Sequence, residues 1–265
     1  GRMTSTKLRN AIEFRPSEVT VWAGFNGHRK SMFTGQVALD LIAQGEPVLL
    51  VSLEMLPRKT LYRMCRQATA HDQPSQERRA EFLRWTDDRL WLFDHVGRLT
   101  PQRCLALCRY FADELKGRHV FIDSMMKVCE SEESLDEQKQ LVGDLCNLGQ
   151  ETGLHLHLIA HCKKPGADGE SRPPTKYDIR GSSAISDQSA NIVTVWMNKA
   201  RRAELEKPVE MQDPKVTGNA EHLVTIEKQR NGDFEGRFKL AFDNRSLRFI
   251  DHEEDHVDPY PMEMA

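Results

Sequence analysis

The segment from Gly24 to Ser31 has the residue types and the spacing that bind phosphate groups. It reads Gly-Phe-Asn-Gly-His-Arg-Lys-Ser and follows the pattern G-x-x-x-x-G-K-[ST] at its first glycine, its lysine and its serine. In such a loop, backbone N–H groups and the N-terminus of the next helix surround the phosphate oxygens. An apolar strand-like segment precedes the loop and a helix-like segment follows it. The residues predicted to bind nucleotide are Gly24, Asn26, Gly27, His28, Arg29, Lys30 and Ser31.

Arg29 departs from the pattern, because it stands where the second glycine belongs. A loop that wraps closely around phosphates favours backbone angles that cost a residue with a Cβ about 1 kcal/mol or more. Arg29 could therefore strain the loop and weaken hydrolysis. Its guanidinium could instead add positive charge beside the phosphates. An imperfect match is also typical of an ordinary polar turn, so the other residues of the site decide between these interpretations.

Two acids follow apolar segments that predict strands. Asp123 comes after Phe121-Ile122, and Glu54 comes after Leu53. The strands of a parallel sheet end at one edge, where Asp123 could organise Mg²⁺. Glu54 at the same edge could orient and deprotonate a water that attacks a γ-phosphate. Each acid alone is a weak signal, since acids are common in solvated loops.

Three histidines alternate along the segment Leu154 to His161, which puts His155, His157 and His161 on one face of a strand. Such a face is compatible with a metal site. No nearby cysteine or carboxylate completes a ligand set with them, which disfavours that interpretation. His161 ends the strand, and this position suits a residue that senses the γ-phosphate.

The elements that position these residues alternate between strand and helix. Alternation of this kind predicts a parallel sheet covered by helices on both faces. The predicted strands are Val19–Gly24, Pro47–Leu53, Leu90–Phe93, His119–Asp123, Leu154–His161 and Ile192–Trp196. The predicted helices are Lys30–Gln44, Pro57–Thr69, one that opens at Thr100-Pro101, and Leu135–Glu151.

The C-terminal part of the sequence has a different pattern of apolar and polar residues. Short apolar segments from Leu223 onward, with Asn231-Gly232 as a hairpin turn, predict antiparallel strands at one sheet edge. The charged stretches Lys163–Lys176 and Arg201–Asn219 predict long mobile loops. Residues 1–17 are interpreted as a linker, residues 18–250 as one domain, and residues 251–265 as an acidic, disordered tail.

Composition excludes some classes of protein. The chain has 265 residues and a formal charge of −3, without the basic excess of a protein that coats nucleic acid over its whole surface. Six cysteines form no C-x-x-C pair, which indicates reduced buried thiols. No apolar run approaches the roughly 18 residues that span a bilayer. We therefore expect a cytoplasmic protein without a membrane partner.

Taken together, the motifs resemble the RecA-like motor domain of hexameric DnaB-type replicative helicases, most of all the phage helicase-primase type. The resemblance covers about residues 18–249 and rests on six segments in the same order as in the family. They are Gly24–Ser31, Ser52–Met55, Phe121–Ser124, Ile159–Pro165, Asp178–Ile185 and Glu227–Gly232. The resemblance implies a RecA-like P-loop NTPase core of the α/β class, with a mainly parallel sheet and antiparallel strands at its C-terminal edge.

The resemblance also implies roles for single residues. Lys30 would contact the β- and γ-phosphates of ATP, Ser31 and Asp123 would hold Mg²⁺, Glu54 would activate water, and His161 would report the phosphate state. Lys228 and Arg230 would reach the nucleotide of the neighbouring subunit, with Arg230 as an arginine finger. A plain basic edge strand is the alternative for this last pair.

Loops after the Asp123 and His161 strands, residues 127–137 and 163–176, would face the central channel of a ring. Cations there could bind DNA phosphates without sequence preference. A merely solvated loop is an equal alternative. The candidate DNA-binding residues are Lys163, Lys164, Arg172, Lys176 and Arg180.

The function predicted from the sequence is an ATP-dependent helicase motor that moves on single-stranded DNA. Its expected partners are other copies of the chain in a hexamer, and a primase or another replication protein. Its expected setting is the cytoplasm of a bacterial host, as a phage or prophage protein. The rivals are a nucleotide-binding scaffold weakened by Arg29, and a recombinase-like DNA-dependent ATPase.

Overall fold

One mixed sheet forms the centre of the protein. The structure, a computed structural model, describes residues 1–129, 134–163, 171–181 and 183–262. Within these residues nine strands pair in the order β3-β2-β4-β5-β1-β6-β7-β8-β9. Their bounds are β1 Val19–Gly24, β2 Val48–Ser52, β3 Leu90–Leu92, β4 His119–Asp123, β5 His155–His161, β6 Asn191–Met197, β7 His222–Gln229, β8 Gly236–Asp243 and β9 Arg248–Ile250.

The strands from β3 to β6 in this order pair in parallel, and β7, β8 and β9 continue the sheet in antiparallel pairing. This confirms the fold class predicted from the sequence. The parallel strands consist largely of apolar residues because both of their faces are covered, as in sheets flanked by helices. The six strands before β7 were predicted within one or two residues of their bounds.

Eight α-helices are present in the described residues, and two sequence-based expectations about them were wrong. The stretch 201–219, expected to be a mobile loop, is largely helical. The second of the two helices between β2 and β3, Gln76–Thr86, was not predicted. The bounds are α1 Lys30–Ala43, α2 Pro57–Thr69, α3 Gln76–Thr86, α4 Pro101–Asp113, α5 Leu135–Thr152, α6 Ala184–Gln188, α7 Lys199–Leu205 and α8 Pro214–Thr217. None of the helices in the described part of the chain has the length and apolar character of a membrane span.

Two apolar layers enclose the sheet. Side chains of α1, α2 and α3, such as Phe33, Met64 and Trp85, pack on one face. Side chains of α4 and α5, such as Phe111 and Leu145, pack on the other. All six cysteines are free thiols, and five of them are buried, as the sequence indicated. The sheet is therefore a rigid platform whose strand ends carry the loops of interest.

Both chain ends pack on this body. Phe14 is 1% exposed and belongs to the same apolar layer as α1, so the expected linker lies on the domain. The end of the acidic tail is also held, because Tyr260 is 5% exposed and its hydroxyl donates to Asp40 at 2.5 Å. The expectation of a disordered tail is wrong for this part, since Tyr260 and Met262 supply apolar surface among the acidic residues. Residues 263–265 lie outside the described residues.

The turn expected at Asn231-Gly232 is part of a longer connection. β7 and β8 pair as predicted, but six residues, 230–235, join them. The side-chain amide of Asn231 donates to Glu18 at 2.7 Å, and that of Gln229 donates to the carbonyl of Phe234 at 2.7 Å. These contacts hold an open loop where a two-residue turn was expected.

Two of the alternating histidines, His155 and His157, belong to a buried network. His155 shares a hydrogen bond with Thr20 at 2.8 Å, and His157 accepts from the indole N–H of Trp22 at 3.2 Å. His119 and His157 are linked at 3.2 Å. Among the described residues, no group of three or more His, Cys, Asp or Glu side chains is arranged to hold a metal ion. Burial lowers the pKa of His155 to about 3 and the pKa values of His119 and His157 well below their usual range.

This network predicts acid sensitivity. A histidine whose folded pKa is depressed binds protons in the unfolded state first, so its stabilisation is complete above about pH 6.5 and falls below it. His155, with a folded pKa of about 3, should lower the free energy of unfolding by about 1.4 kcal/mol between pH 7.5 and 5.5, and His119 and His157 should act in the same direction. Urea denaturation at the two pH values measures the loss. His157→Gln should reduce the pH dependence, whereas His256→Gln, at an exposed position, should leave it unchanged; equal slopes in both variants would contradict the prediction.

Candidate functional site

The predicted site residues meet at one edge of the sheet, where the parallel strands end. Ser52 pairs in register with Asp123, and Gly24 pairs in register with His161. The strand order places β4 and β5 between β2 and β1. The loops after these four strands therefore lie side by side, which is the arrangement expected from the sequence.

The phosphate loop uses its two glycines for different reasons. A Cβ on Gly24 would lie 2.3 Å from the carbonyl oxygen of Val195, so only glycine lets β1 pass so close to β6. Gly27 has φ of +77°, in the left-handed region that favours glycine. The ammonium of Lys30 donates to the carbonyl of Phe25 at 2.7 Å and so reaches across the loop.

Two side chains of the loop anchor it to the body of the protein. Phe25 is 2% exposed and His28 is fully buried. Nδ1 of His28 accepts from the backbone N–H of Met197 at 3.0 Å, at the end of β6. The imidazole of His28 therefore ties the loop to β6, and its backbone N–H closes the loop by donating to the carbonyl of Phe25 at 3.4 Å. Asn26 and Gly27 are exposed at the tip of the loop.

Arg29 adopts the backbone conformation for which the pattern reserves glycine. Its φ of 63° and ψ of 21° are left-handed, as the sequence pattern indicated for this position. Its guanidinium lies 3.7 Å from the centre of the Phe242 ring and donates to Glu221 at 3.2 Å. The contacts of the side chain thus lie on β7 and β8 rather than within the loop.

Asp123 and Ser31 form a hydrogen-bonded pair of oxygen-bearing side chains. The Ser31 hydroxyl is hydrogen-bonded to the Asp123 carboxylate. Burial raises the pKa of Asp123, and the contact with Ser31 and the charge of Lys30 partly offset that rise. A cation beside this carboxylate would lower its pKa further, because opposite charge favours the ionised form.

Glu54 and His161 face each other across the same edge. Nε2 of His161 lies 3.5 Å from Oε1 of Glu54, and the Ser124 hydroxyl donates to the same oxygen at 2.8 Å. These contacts, that of His161 first, hold the pKa of Glu54 at about 2. Nδ1 of His161 is buried without a hydrogen-bond partner. The carboxylate is ionised at neutral pH and half-exposed, so it can receive a water molecule.

Arg63 is a member of the site that was not predicted from the sequence. It lies on α2 and lines, with Ser31 and Asp123, a cavity of about 40 Å³. Burial lowers the pKa of Arg63, and the negative charge of Asp123 partly restores it. One feature of the sequence could have pointed to Arg63. It lies on the predicted helix that directly follows Glu54 in the chain, and this helix must pack near the end of the strand that carries Asp123. Arg63 adds a fixed positive charge beside the Ser31–Asp123 pair.

Lys228 and Arg230 lie away from this site. β7 runs antiparallel to β6, so its last residues lie at the opposite edge of the sheet from the phosphate loop. A bulge at Glu227 shifts the alternation and places Lys228 opposite Ile192, on the α6 side. Lys228 donates to the carbonyl of Ser186 at 2.7 Å, and Arg230 donates to that of Asp187 at 3.2 Å. Within one chain, these cations cannot reach the Lys30 loop.

The candidate DNA-binding residues differ in their exposure and in the groups that their charged side chains contact. Lys163 is exposed, and Lys176 lies 5.6 Å from the ring of the exposed Tyr177. Arg172 instead forms a two-bond ion pair with Asp178, at 2.8 and 2.9 Å, and this pair lowers the pKa of Asp178 to about 2. The negative charge of Asp178 therefore lies directly beside the guanidinium of Arg172.

The segment that follows His161 is bonded to β5 and leads to α6. The backbone N–H of Arg180 donates to the carbonyl of His161 at 2.8 Å, which ties the segment to the end of β5. The helix α6 begins at Ala184, and the side chain of Ser183 before it makes no capping hydrogen bond. Lys164 and Ser182 lie outside the described residues.

The residues present fit a magnesium nucleotide. The hydroxyl and the buried carboxylate of the Ser31–Asp123 pair are hard oxygen ligands of the kind that Mg²⁺ prefers. The backbone around Gly27 is open, because nothing lies within 4 Å of a Cβ placed there, and the loop leads directly into the N-terminus of α1. The site thus combines an anion cradle, a divalent-cation position and an ionised carboxylate.

Comparisons with known proteins agree with this geometry. The family model for the DnaB-like helicase C-terminal domain matches residues 6–251. A solved structure described as an ATPase domain superposes with a TM-score of 0.72 and 17% identity, over 91% of this chain and 86% of that one. A DnaB-like replicative helicase, described with its interactions with primase, gives a TM-score of 0.70 and 17% identity, over 91% of this chain and 58% of that one. At these identities the two structures show a shared fold.

Proposed function

The chain belongs to the DnaB-like helicase C-terminal domain family, and on that premise we propose that it is the ATP-hydrolysing motor of a replicative DNA helicase. One observation carries the proposal. The Ser31–Asp123 pair and the Glu54–His161 pair lie together beside the Lys30 loop, in one chain and at one sheet edge. An ordinary polar turn has no reason to gather these four side chains.

Each residue has a role that its surroundings support. The backbone of the loop and Lys30 bind the β- and γ-phosphates of ATP, and the N-terminus of α1 adds its positive end. Ser31 and Asp123 hold Mg²⁺, which supplies charge neutralisation to the phosphates when it is bound. Arg63 keeps Asp123 in place by electrostatic attraction. The developing charge is then met by groups already fixed by the fold.

Glu54 orients the attacking water. A carboxylate with a pKa of about 2 is a poor proton acceptor, because an effective general base has a pKa near the working pH. The main cause of the low pKa is the contact with His161. Movement of His161 away from Glu54 would raise the basicity of the carboxylate. We infer that His161 links the state of the γ-phosphate to the base through this contact.

The position of Lys228 and Arg230 supports an active site shared between subunits. Both cations lie at the opposite ends of the strands from their own phosphate loop. They can therefore serve only the nucleotide of another copy of the chain. Burial and the charge of Arg230 lower the pKa of Lys228. A ring of identical subunits, six in a hexamer, would bring the two edges together.

Single-stranded DNA is the proposed track. Lys163, Lys176 and Arg180 belong to the segment that begins at the end of β5, and the backbone of Arg180 is bonded to His161. Hydrolysis and DNA contact are therefore adjacent along the chain. A primase or another replication protein, and a cytoplasmic setting in a phage or prophage context, complete the proposal.

The test is ATP hydrolysis with and without single-stranded DNA. We expect magnesium-dependent hydrolysis that single-stranded DNA stimulates, together with unwinding of a forked duplex. Lys30→Ala should abolish hydrolysis, and Lys59→Ala, at an exposed position of α2, should not. ATP binding without hydrolysis under all conditions would favour a scaffold, and hydrolysis with DNA but without unwinding would favour a recombinase-like ATPase.

A further inference from the structure

Arg29 occupies a backbone conformation that is unfavourable for it. A left-handed backbone brings Cβ too close to the following carbonyl oxygen, and glycine escapes this clash because it has no Cβ. Arg29 nevertheless has φ of 63° at the residue directly before α1. The surrounding structure must supply contacts that hold it there.

The side chain of Arg29 makes such contacts with four residues, of which Asn244 accepts the longest hydrogen bond, at 3.5 Å. Glu221 accepts from one terminal nitrogen at 3.2 Å, and Nε2 of His222 lies 3.3 Å from the same nitrogen. Phe242 offers its ring face at 3.7 Å. The side chains of Arg29 and Glu221 are only 10% and 16% exposed, so water screens their attraction little. Burial lowers the pKa of His222 to about 3, which leaves the imidazole neutral and able to accept a hydrogen bond.

We propose that Arg29, clamped by Glu221 and Phe242, is a positioning residue that holds the phosphate loop in its nucleotide-binding shape. A glycine adopts the left-handed backbone of this position at little cost because it has no Cβ. Arg29 is held in the same backbone conformation by the contacts of its side chain. This inference rests on the proposed function, because the shape matters only if the loop binds phosphate. It also differs from both interpretations of the side chain that the sequence left open, because the guanidinium contacts Glu221 and Phe242 outside the loop.

The clamp also connects parts of the chain that are far apart. Arg29 precedes α1, Glu221 precedes β7, and Phe242 lies on β8. The residue before Arg29 is held as well, because Nδ1 of His28 accepts a hydrogen bond from the backbone N–H of Met197 at the end of β6. Loss of Glu221 would therefore remove the ion pair between the loop and the start of β7, while the Phe242 ring and the bond to β6 remain.

A double-mutant cycle tests the clamp. ATP affinity is measured with magnesium for the unaltered chain, Glu221→Ala, Arg29→Gly and the double variant, using a fluorescent ATP analogue. Glu221→Ala should weaken binding about tenfold in the chain with Arg29, which corresponds to about 1.4 kcal/mol. In the Arg29→Gly chain, the same change should weaken binding less than about twofold. Glu221→Gln should give an intermediate loss, because it keeps the hydrogen bond and removes the charge.

The matched control is Glu206→Ala. Glu206 is an exposed acid paired with Arg202 at 3.7 Å, and its removal should not alter ATP affinity. Equal losses from Glu221→Ala with and without Arg29 would overturn the clamp. If no variant binds ATP, the proposed function fails, and amide hydrogen exchange of residues 24–30 decides the clamp on its own. Faster exchange in Glu221→Ala, absent in the double variant, supports it, and unchanged exchange overturns it.

Discussion

Arg230→Ala is expected to reduce ATP hydrolysis by about 10³- to 10⁵-fold, the range found for removal of an arginine finger. The cation would stabilise charge on the transferred phosphoryl group of a neighbouring subunit. Within its own chain, Arg230 contacts only carbonyl groups at the end of α6 among the partners described, so its loss should leave the fold intact. Steady-state hydrolysis with single-stranded DNA measures the effect, and circular dichroism checks the fold.

Mixing experiments separate a shared site from a site within one chain. Arg230→Ala and Lys30→Ala should each be inactive alone, but their mixture should regain activity at interfaces that combine the intact Lys30 of one subunit with the intact Arg230 of the next. The control is Arg237→Ala, which removes an exposed arginine from the neighbouring strand β8. An Arg230→Ala variant that hydrolyses normally, or a mixture without recovery, would contradict the shared site.

Glu54→Gln should reduce hydrolysis by about 10²- to 10⁴-fold, the usual contribution of a positioned acid–base group. Glutamine keeps the shape of the side chain and its hydrogen bond from Ser124, but it loses the negative charge that orients water. ATP affinity should stay within about twofold, because the substitution removes a group that acts on the water and not on the phosphates. Single-turnover hydrolysis and equilibrium ATP binding provide the two measurements.

The pH profile sharpens this second prediction. With a pKa of about 2, Glu54 stays ionised throughout the neutral range, so its own titration should not limit the rate above about pH 4. Removal of His161 takes away the main cause of the low pKa, so His161→Ala should move the acidic limb to higher pH. Asp94→Asn is the control, since Asp94 is an exposed acid that follows β3 at the same sheet edge. A Glu54→Gln chain with normal turnover would show that another group activates the water.

The fold could be predicted from the sequence where composition and spacing repeat. Apolar segments that end in Gly24, Asp123 and His161 are long enough to predict buried strands, and each was found within one residue of its expected limits. Helix starts marked by proline, at Pro57 and Pro101, were also correct. These features are local, because hydrophobic periodicity and helix capping act within a few residues.

The parts that failed depend on contacts between distant residues. α3 begins with Gln76-Glu77-Arg78-Arg79 and is charged over much of its length, so its apolar face is visible only once Phe82 and Trp85 pack on α2 and the tail. The acidic tail was expected to be disordered because its charges outweigh its apolar residues. Tyr260 reverses this through Asp40 and Trp85, which are far from it in the sequence.

The site was predictable in its members but not in all of its geometry. The order of Lys30, Glu54, Asp123 and His161 along the chain was enough to expect them together, because parallel strands share one edge. The bulge at Glu227, which turns Lys228 toward α6, leaves no mark in the sequence. The same holds for Arg29, whose partners Glu221 and Phe242 lie about two hundred residues away.

Strand β7 has a mechanical consequence for an assembled ring. It starts beside Glu221, which grips the phosphate loop of its own subunit, and it leads to Lys228 and Arg230, which would touch the next nucleotide. β6 pairs with it from His222 to Gln229, and β8 pairs with it from His222 to Ile226. A strand held in this way transmits a displacement along its eight residues, a length of roughly 25 Å. In the shared site that we propose, β7 would therefore couple the phosphate loop of one subunit to the cations that reach the nucleotide of the next.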